Sequence, residues 1–426
     1  MIRVVIIGGG WAGCGAAVAA RKAGAEVIII EKTDMLLGCG LLGGIMRNNG
    51  RFTAAEEAIE MGGGELFEIA DKTARHVNID FPGHKHATLY DVTKIEPQIR
   101  RFLKEIGVEI KFIKRAVDVE MKKNTIKGII LDDGKKISGD VFIETTGSSG
   151  PMGNCLKYGN GCGMCIQRCP AFGPRVSISQ KAGVNDLVGK RAPDLYGAMS
   201  GSCEINKDSL SDDLRKKLDD EGVIVLKLPE ELINREKLSM KVCQQYALNE
   251  YAENIVLLDT GHVKLMSPYF NLEDLRKIDG LENVMYEGPY AASRGNSIRY
   301  MSMAPRDNFM KVVGVENLFC AGEKSGPFVG HTEAIVTGLV AGHNAVRKAA
   351  NKDLIQLPLS TAIGDIVYYV NQELKKTDGL YKRFTFAGSI YFERMKQLGL
   401  YTIDKKQISE RIHKEGLTGF FEKKVL

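Results

Sequence analysis

Residues Val4–Lys32 read VVIIGGGWAGCGAAVAARKAGAEVIIIEK. The apolar run Val4–Ile7 ends on Gly8, Gly10 and Gly13, spaced G-x-G-x-x-G, and an Ala-rich helical segment follows to Ala23. Gly24 turns the chain into a second apolar strand, Val27–Ile30, which ends at Glu31. Each residue type has a physical task. Gly8 permits the tight turn, Gly10 lets backbone N–H groups approach a pyrophosphate at the helix N-terminus, and Gly13 allows close helix–strand packing. Glu31 stands about twenty residues on, where a carboxylate accepts from a ribose hydroxyl. The stretch predicts a dinucleotide site held by Gly8, Gly10, Gly13, Glu31 and the adjacent Lys32.

The chain has 426 residues, enough for two or three domains, and 47 glycines, which imply many tight turns and close backbone approaches. No apolar run approaches the ~20 residues a membrane helix requires. The first apolar segment is too short for a secretory signal and already belongs to a strand. A cytoplasmic protein is expected, in which nine cysteines serve as ligands, nucleophiles or core residues rather than disulfides. Net charge is +5, with twelve Lys/Arg against six Asp/Glu from Lys375 onward. That surplus reads as a solvated helical tail or as a surface for a phosphate backbone.

Leu36–Gly50 carries five glycines and Cys39 directly after the second strand, so backbone is expected close to the cofactor. Thr53–Arg75 reads as helix interrupted at Gly62–Gly64, and Lys94–Ile106 as an amphipathic helix. His76, His84 and His86 in the loop between them read as surface histidines, because the metal companions of an H-x-H site are missing. Val108–Phe112, Ala116–Met121 and Ile126–Leu131 are strand-like, with a turn at Asp132–Gly134.

Cys155, Cys162, Cys165 and Cys169 are spaced C-x6-C-x2-C-x3-C-P. The last three, with Pro170, have the spacing that bacterial ferredoxins use for iron–sulfur clusters. Four thiolates in a glycine-rich loop suit a [4Fe–4S] cluster; structural zinc is the alternative, and its soft-ligand set is the same. Cys14 and Cys320 read as core, and Cys203 and Cys243 as core or loop positions, with a thiol facing the cofactor as the alternative for either. Cys39 is the candidate nucleophile, a thiol among glycine N–H groups near the cofactor.

Two further segments resemble the dinucleotide-binding flavoproteins of the glutathione-reductase type. Asp140–Gly147 (DVFIETTG) is similar to their second fingerprint, a strand ending in Thr-Gly. Asn317–Glu323 (NLFCAGE) is similar to their strand entering Ala-Gly-acid, and Gly330-His331-Thr332 opens a small-residue helix to Ala349. The resemblance implies FAD, with Gly147 and Gly322 close to it and Glu323 bonded to its ribitol. Gly330, His331 and Thr332 would then present a helix N-terminus to the flavin pyrimidine.

More of the chain resembles the flavoproteins that modify tRNA uridines: the GidA type, and the folate- and FAD-dependent tRNA (uracil) methyltransferases, TrmFO. Lys277–Asn283 (KIDGLEN) is similar to the "IPGLEN" run of the latter, and Asn317–Arg347 to its "NLFFAGQ…GY.E.AA.GL.AG.NAAR" block. Leu359–Gly364 with Tyr368-Tyr369 resembles its "TTALG…Y" element, and Cys39–Gly44 resembles the GidA "CNPAIGG". The departures are the four-cysteine segment, Glu323 where both types have Gln, and the lack of the GidA type's long C-terminal helical domain.

The expected architecture is α/β. A Rossmann-like FAD-binding domain spans 1–150 and 303–350, an inserted domain with the metal loop 151–302, and a C-terminal helical extension 351–426. The leading expectation for function is an FAD-dependent oxidoreductase whose [4Fe–4S] cluster exchanges single electrons with the flavin, acting on a small-molecule substrate or redox partner. The alternative is folate- and FAD-dependent methylation of uridine in tRNA. A non-catalytic redox carrier or sensor subunit is the third reading.

Overall fold

A computed structural model describes residues 1–147, 172–193, 195–196, 198–200, 203–240, 248–266, 270–287, 297–299 and 301–426. Five parallel strands form the central sheet: β1 (Arg3–Ile7), β2 (Glu26–Ile30), β3 (Val108–Lys111), β4 (Val141–Glu144) and β5 (Leu318–Cys320). Their spatial order is β5-β4-β1-β2-β3. In register, Val4 faces Val141 on one side and Val27 on the other.

Runs such as Val4–Ile7 are apolar without alternation because both faces of the sheet are covered. Val4, Ile6, Val27, Ile29 and Ile143 face a helical layer that includes α1 (Trp11–Lys22) and α3 (His331–Ala349). Val5, Ile7, Ile28, Phe142 and Leu318 face a three-stranded antiparallel sheet of 116–122, 125–131 and 136–138, through Ile126, Ile129 and Ile137. The two helices approach so closely that a Cβ on Gly338 would run into the Ala12 carbonyl, and one on Gly342 into that of Ala16. Only glycine fits those two positions.

A second antiparallel sheet joins Cys203–Ile205, His262–Leu265, Asn254–Thr260 and Val223–Lys227 in that order. It packs on Ala74–Phe81 and His84–Tyr90, which form a hairpin where sequence reading expects a loop. His84, expected at the surface, is buried there with its Nδ1 2.9 Å from Asn48 Nδ2. The basic segment after Lys375 is not a detached tail. Tyr391, Ile408, Ile412 and Phe421 enter the main core beside α2 (Gly50–Glu60), leaving the lysines outside. Glu57 of α2 caps α4 (Ala362–Glu373), accepting from Ala362 N at 2.9 Å and Ile363 N at 3.1 Å. No helix among the described residues is long and apolar enough to cross a membrane.

Candidate functional site

The carboxyl ends of β1, β2 and β4 converge on the glycine turn. Gly8 has φ +106°, and a Cβ there would sit 2.5 Å from the Thr145 carbonyl oxygen. A Cβ on Gly13 would strike the Gly8 carbonyl. Thr145 closes the turn from the other side, its hydroxyl donating to the Ile7 and Gly8 carbonyls at 3.0 and 2.6 Å. Gly10 differs: it caps α1 without a side-chain bond to the helix, and a Cβ on it would meet nothing within 4 Å among the described residues. The turn is packed everywhere except over the helix N-terminus. There the amides and the positive end of the helix dipole suit a pyrophosphate.

Glu31 is buried at the end of β2. Its Oε2 accepts from Gly9 N at 2.7 Å; its Oε1 accepts from Thr33 N at 2.8 Å and Thr33 Oγ1 at 2.9 Å. An ionised carboxylate has about four acceptor sites, so three are spent on holding it against the turn and Oε2 keeps one for a ribose hydroxyl. Lys32 Nζ, from the next residue, donates to the Gly173 carbonyl at 3.1 Å. Gly147 has φ +69°, and no described residue lies within 4 Å of its Cβ position.

The third expected element lies beside these. Gly322 N donates to Thr337 Oγ1 of α3 at 2.9 Å, next to half-buried Glu323. At the start of α3, Gly330 has φ +144°, His331 is the first helical residue, and Thr332 Oγ1 is buried with no hydrogen-bond partner among the described residues. A buried hydroxyl without a partner at a helix N-terminus is what a polar ligand edge would satisfy. The open cradle at Gly10, the remaining lone pair of Glu31 and the orphaned Thr332 hydroxyl together fit an FAD-type dinucleotide.

The loop carrying Cys39 lies against this cradle, as its glycines imply. Leu37 N donates to the Gly9 carbonyl at 2.7 Å. Cys39 is exposed and begins the short helical turn Gly40–Gly43. The Gly40 carbonyl accepts from Tyr90 Oη at 2.5 Å, and Tyr90 Oη is 3.2 Å from His331 Nδ1. Lys264 Nζ from the second sheet donates to the Leu42 carbonyl at 2.5 Å, so both sheets meet at this loop. Cys14 and Cys320 are core residues, as expected, and burial pushes both thiols up, Cys320 to about 12.

Sequence reading missed two buried charge clusters. Lys324 Nζ lies 2.5 Å from Asp186 Oδ2, 2.8 Å from Ser177 Oγ and 3.6 Å from Glu144 Oε1. Burial opposes ionisation of Asp186, but Lys324 outweighs it and holds the carboxyl below its ordinary range. Arg51 and Glu333 form the other pair. A lysine in a polar Gly-Glu-Lys-Ser turn carries no sign of burial, and neither does an arginine on an amphipathic helix.

Cys155, Cys162, Cys165 and Cys169 lie outside the described residues. Among the described residues, no group of three or more His, Cys, Asp or Glu is arranged to hold a metal ion.

The fold and cradle define a flavoprotein with a Rossmann-like FAD-binding fold. The sequence model of the family Glucose inhibited division protein A (GIDA) matches residues 3–256 and 230–353, and the chain belongs to that family. The chain is 44% identical over 62 residues to the methylenetetrahydrofolate–tRNA-(uracil-5-)-methyltransferase TrmFO of Bacillus pumilus, covering 15% of this chain and 14% of that protein. It is 34% identical over 141 residues to the TrmFO of Streptococcus uberis, covering 33% and 30%. The matched stretches thus span less than a third of these curated relatives. Among solved structures, Aquifex aeolicus GidA superposes over 97% of this chain and 76% of its own, at a TM-score of 0.66 and 16% identity. A geranylgeranyl bacteriochlorophyll reductase-like protein of Thermoplasma acidophilum covers 97% of both chains at 0.51 and 12%. At those identities the likeness is one of fold.

Proposed function

We propose that this protein is an FAD-dependent enzyme that modifies uridine in RNA, with tRNA as the substrate class and a folate-derived carbon as the group transferred. The observation that carries the reading is the placement of Cys39: an exposed thiol on a glycine loop hydrogen-bonded to the dinucleotide turn, next to Gly40, whose carbonyl accepts from the Tyr90 hydroxyl that also contacts His331 at the start of α3. The TrmFO names of the relatives supply the substrate class, and membership of the GIDA family supports FAD.

Gly8, Gly10 and Gly13 would cradle the FAD pyrophosphate, Glu31 the adenosine ribose and Glu323 the ribitol. Gly147 and Gly322 would line its path, with Gly330, His331 and Thr332 at the flavin pyrimidine. When bound, FAD supplies the reducing hydride. Cys39 would attack C6 of the pyrimidine, making C5 nucleophilic toward the one-carbon donor. The exposed lysines after Lys375 would meet the phosphate backbone. The test is methylation of an unmodified tRNA transcript by holoprotein with methylenetetrahydrofolate and reductant. Cys39→Ala should keep its flavin and lose turnover; methylation undiminished in that variant overturns the assignment.

The cysteine spacing at 155–169 favours a second reading, an oxidoreductase in which a [4Fe–4S] cluster exchanges electrons with FAD. Under that reading the protein would oxidise or reduce a small partner and take no RNA. Salt-dependent binding of tRNA separates the two.

A further inference from the structure

We propose that Lys324 is a positioning residue for FAD, holding the turn Gly322–Ser325 in place against the segment 177–186; the inference rests on the reading that places FAD over the carboxyl ends of β4 and β5. The side chains of Lys324, Asp186 and Glu144 are sealed from solvent, each 2% exposed or less. Asp186 accepts four times. Its Oδ2 takes Lys324 Nζ at 2.5 Å, Ser302 Oγ at 2.6 Å and Ser177 Oγ at 2.8 Å, and its Oδ1 takes Ser179 Oγ at 2.7 Å. Lys324 Nζ also donates to Ser177 Oγ at 2.8 Å. Glu144, the last residue of β4, closes the group: its two oxygens accept from Ile178 N and Ser179 N, each at 2.8 Å. Four stretches of chain, at 144, 177–186, 302 and 324, therefore meet around one ammonium.

The place of this group in the fold gives it its role. Lys324 directly follows Gly322 and Glu323. The turn is held through its backbone as well: Gly322 N donates to Thr337 Oγ1 of α3 at 2.9 Å, Ala304 N to the Lys324 carbonyl at 2.8 Å, and Arg306 Nε to the Ser325 carbonyl at 2.8 Å. Glu144 stands at the other strand end. Thr145 and Gly147 follow it, and Thr146 Oγ1 donates to its Oε1 at 3.1 Å. The cluster thus bridges two strand ends at the edge of the sheet where a dinucleotide lies in this fold.

Stability does not account for a lysine there. Taking two charges out of water costs much of what their attraction returns, and an apolar pair of similar volume is often as stable. What the ion pair adds is direction, because the ammonium and the Asp186 carboxylate satisfy one another in one arrangement. Methionine beside leucine would fill the volume without selecting that arrangement. Held by Lys324, Gly322 and Glu323 meet FAD already in place, and binding does not have to order them.

The experiment compares holoprotein of wild type, Lys324→Met, and Lys324→Met with Asp186→Leu. FAD affinity is read from the fluorescence of flavin released on dilution, and stability from urea unfolding. Local order is read from amide hydrogen exchange at Gly322, against Ile6 in β1. We expect FAD to bind about tenfold more weakly in Lys324→Met, within the range of coupling between linked sites. In the double variant part of the lost urea stability should return while FAD affinity stays low. In both variants exchange at Gly322 should rise about tenfold beyond any change at Ile6, by the same coupling. Wild-type affinity in Lys324→Met, or affinity that recovers in step with stability in the double variant, overturns the proposal. So does exchange that rises equally at Gly322 and Ile6, because that is a general loosening of the fold. Purified wild type without flavin absorbance is a different failure and removes the flavin reading itself.

Discussion

Arg51 and Glu333, 282 residues apart in sequence, meet with Nε 3.1 Å from Oε2 at the first turn of α3, both almost without solvent. Arg51 also donates to Asn48 Oδ1 at 3.0 Å, the Val329 carbonyl at 2.9 Å and Thr385 Oγ1 at 3.1 Å. Glu333 Oε1 accepts from Thr385 Oγ1 and Phe386 N, each at 2.7 Å. The pair joins α2, the entry to α3 and the C-terminal segment, and so fixes where the N-terminus of α3 points. Removing one member of a buried pair leaves a bare charge and costs about 3–5 kcal/mol. Glu333→Gln should lower the stability read from urea unfolding by that amount, and Arg51→Met with Glu333→Leu should recover part of it. A single variant as stable as wild type would show that the pair does not organise this corner.

Gly10 and Gly13 separate ligand binding from folding. A side chain on Gly10 meets nothing within 4 Å among the described residues, so Gly10→Val should fold with near wild-type stability yet purify without flavin absorbance, its methyls standing where the proposed pyrophosphate would lie. Gly13→Ala drives a methyl into the Gly8 carbonyl and should destabilise the fold itself by roughly 1–3 kcal/mol, an overpacking cost. Full FAD content in Gly10→Val would remove the cradle from that turn.

The parts of this site that sequence makes plain are those whose signals are local. The glycine turn, β2 ending at Glu31 and the small-residue helix α3 each declare themselves within thirty residues, because turn chemistry and hydrophobic period act over that distance. The hairpin 74–90 does not. Register shifts between Ala74 and His76 and between His76 and Ile79 break its alternation of buried and exposed side chains, so the segment reads as loop. The Tyr90–His331 contact spans 241 residues, and no spacing rule reaches that far. Lys324 is hidden for another reason: its burial depends on Asp186 and Glu144, and a lone lysine gives no hint of two distant carboxylates.

The cysteine spacing makes a claim of its own. Protein purified without oxygen should contain about four irons and four sulfides per chain, and Ser at Cys162, Cys165 or Cys169 should lose them. Cys155, separated from the next cysteine by six intervening residues, departs from ferredoxin spacing, and its Ser variant should retain more iron than the others. One zinc and no iron in elemental analysis decides for the structural-zinc alternative, and neither metal would return the segment to ordinary thiols.

His343 makes stability depend on pH. It lies inside α3 against Phe420, with ring centroids 4.6 Å apart, and both ring nitrogens are buried with no hydrogen-bond partner among the described residues. Burial, with Arg347 adding to it, pushes its pKa down from 6.5 to about 4. The unfolded chain therefore binds a proton more readily than the folded one between those values. The histidine's contribution is intact above about pH 6.5 and is lost as pH falls toward 4. By pH 5 the difference is about 2 kcal/mol, since each pKa unit is worth about 1.4 kcal/mol. Urea unfolding at pH 7 and pH 5 should show wild type losing about 2 kcal/mol more than His343→Leu, because leucine keeps the apolar contact with Phe420 and has no proton to take up. Other titrating groups are common to both proteins and cancel in that comparison. Equal losses in the two proteins would mean that the buried imidazole finds a way to charge without opening the C-terminal packing.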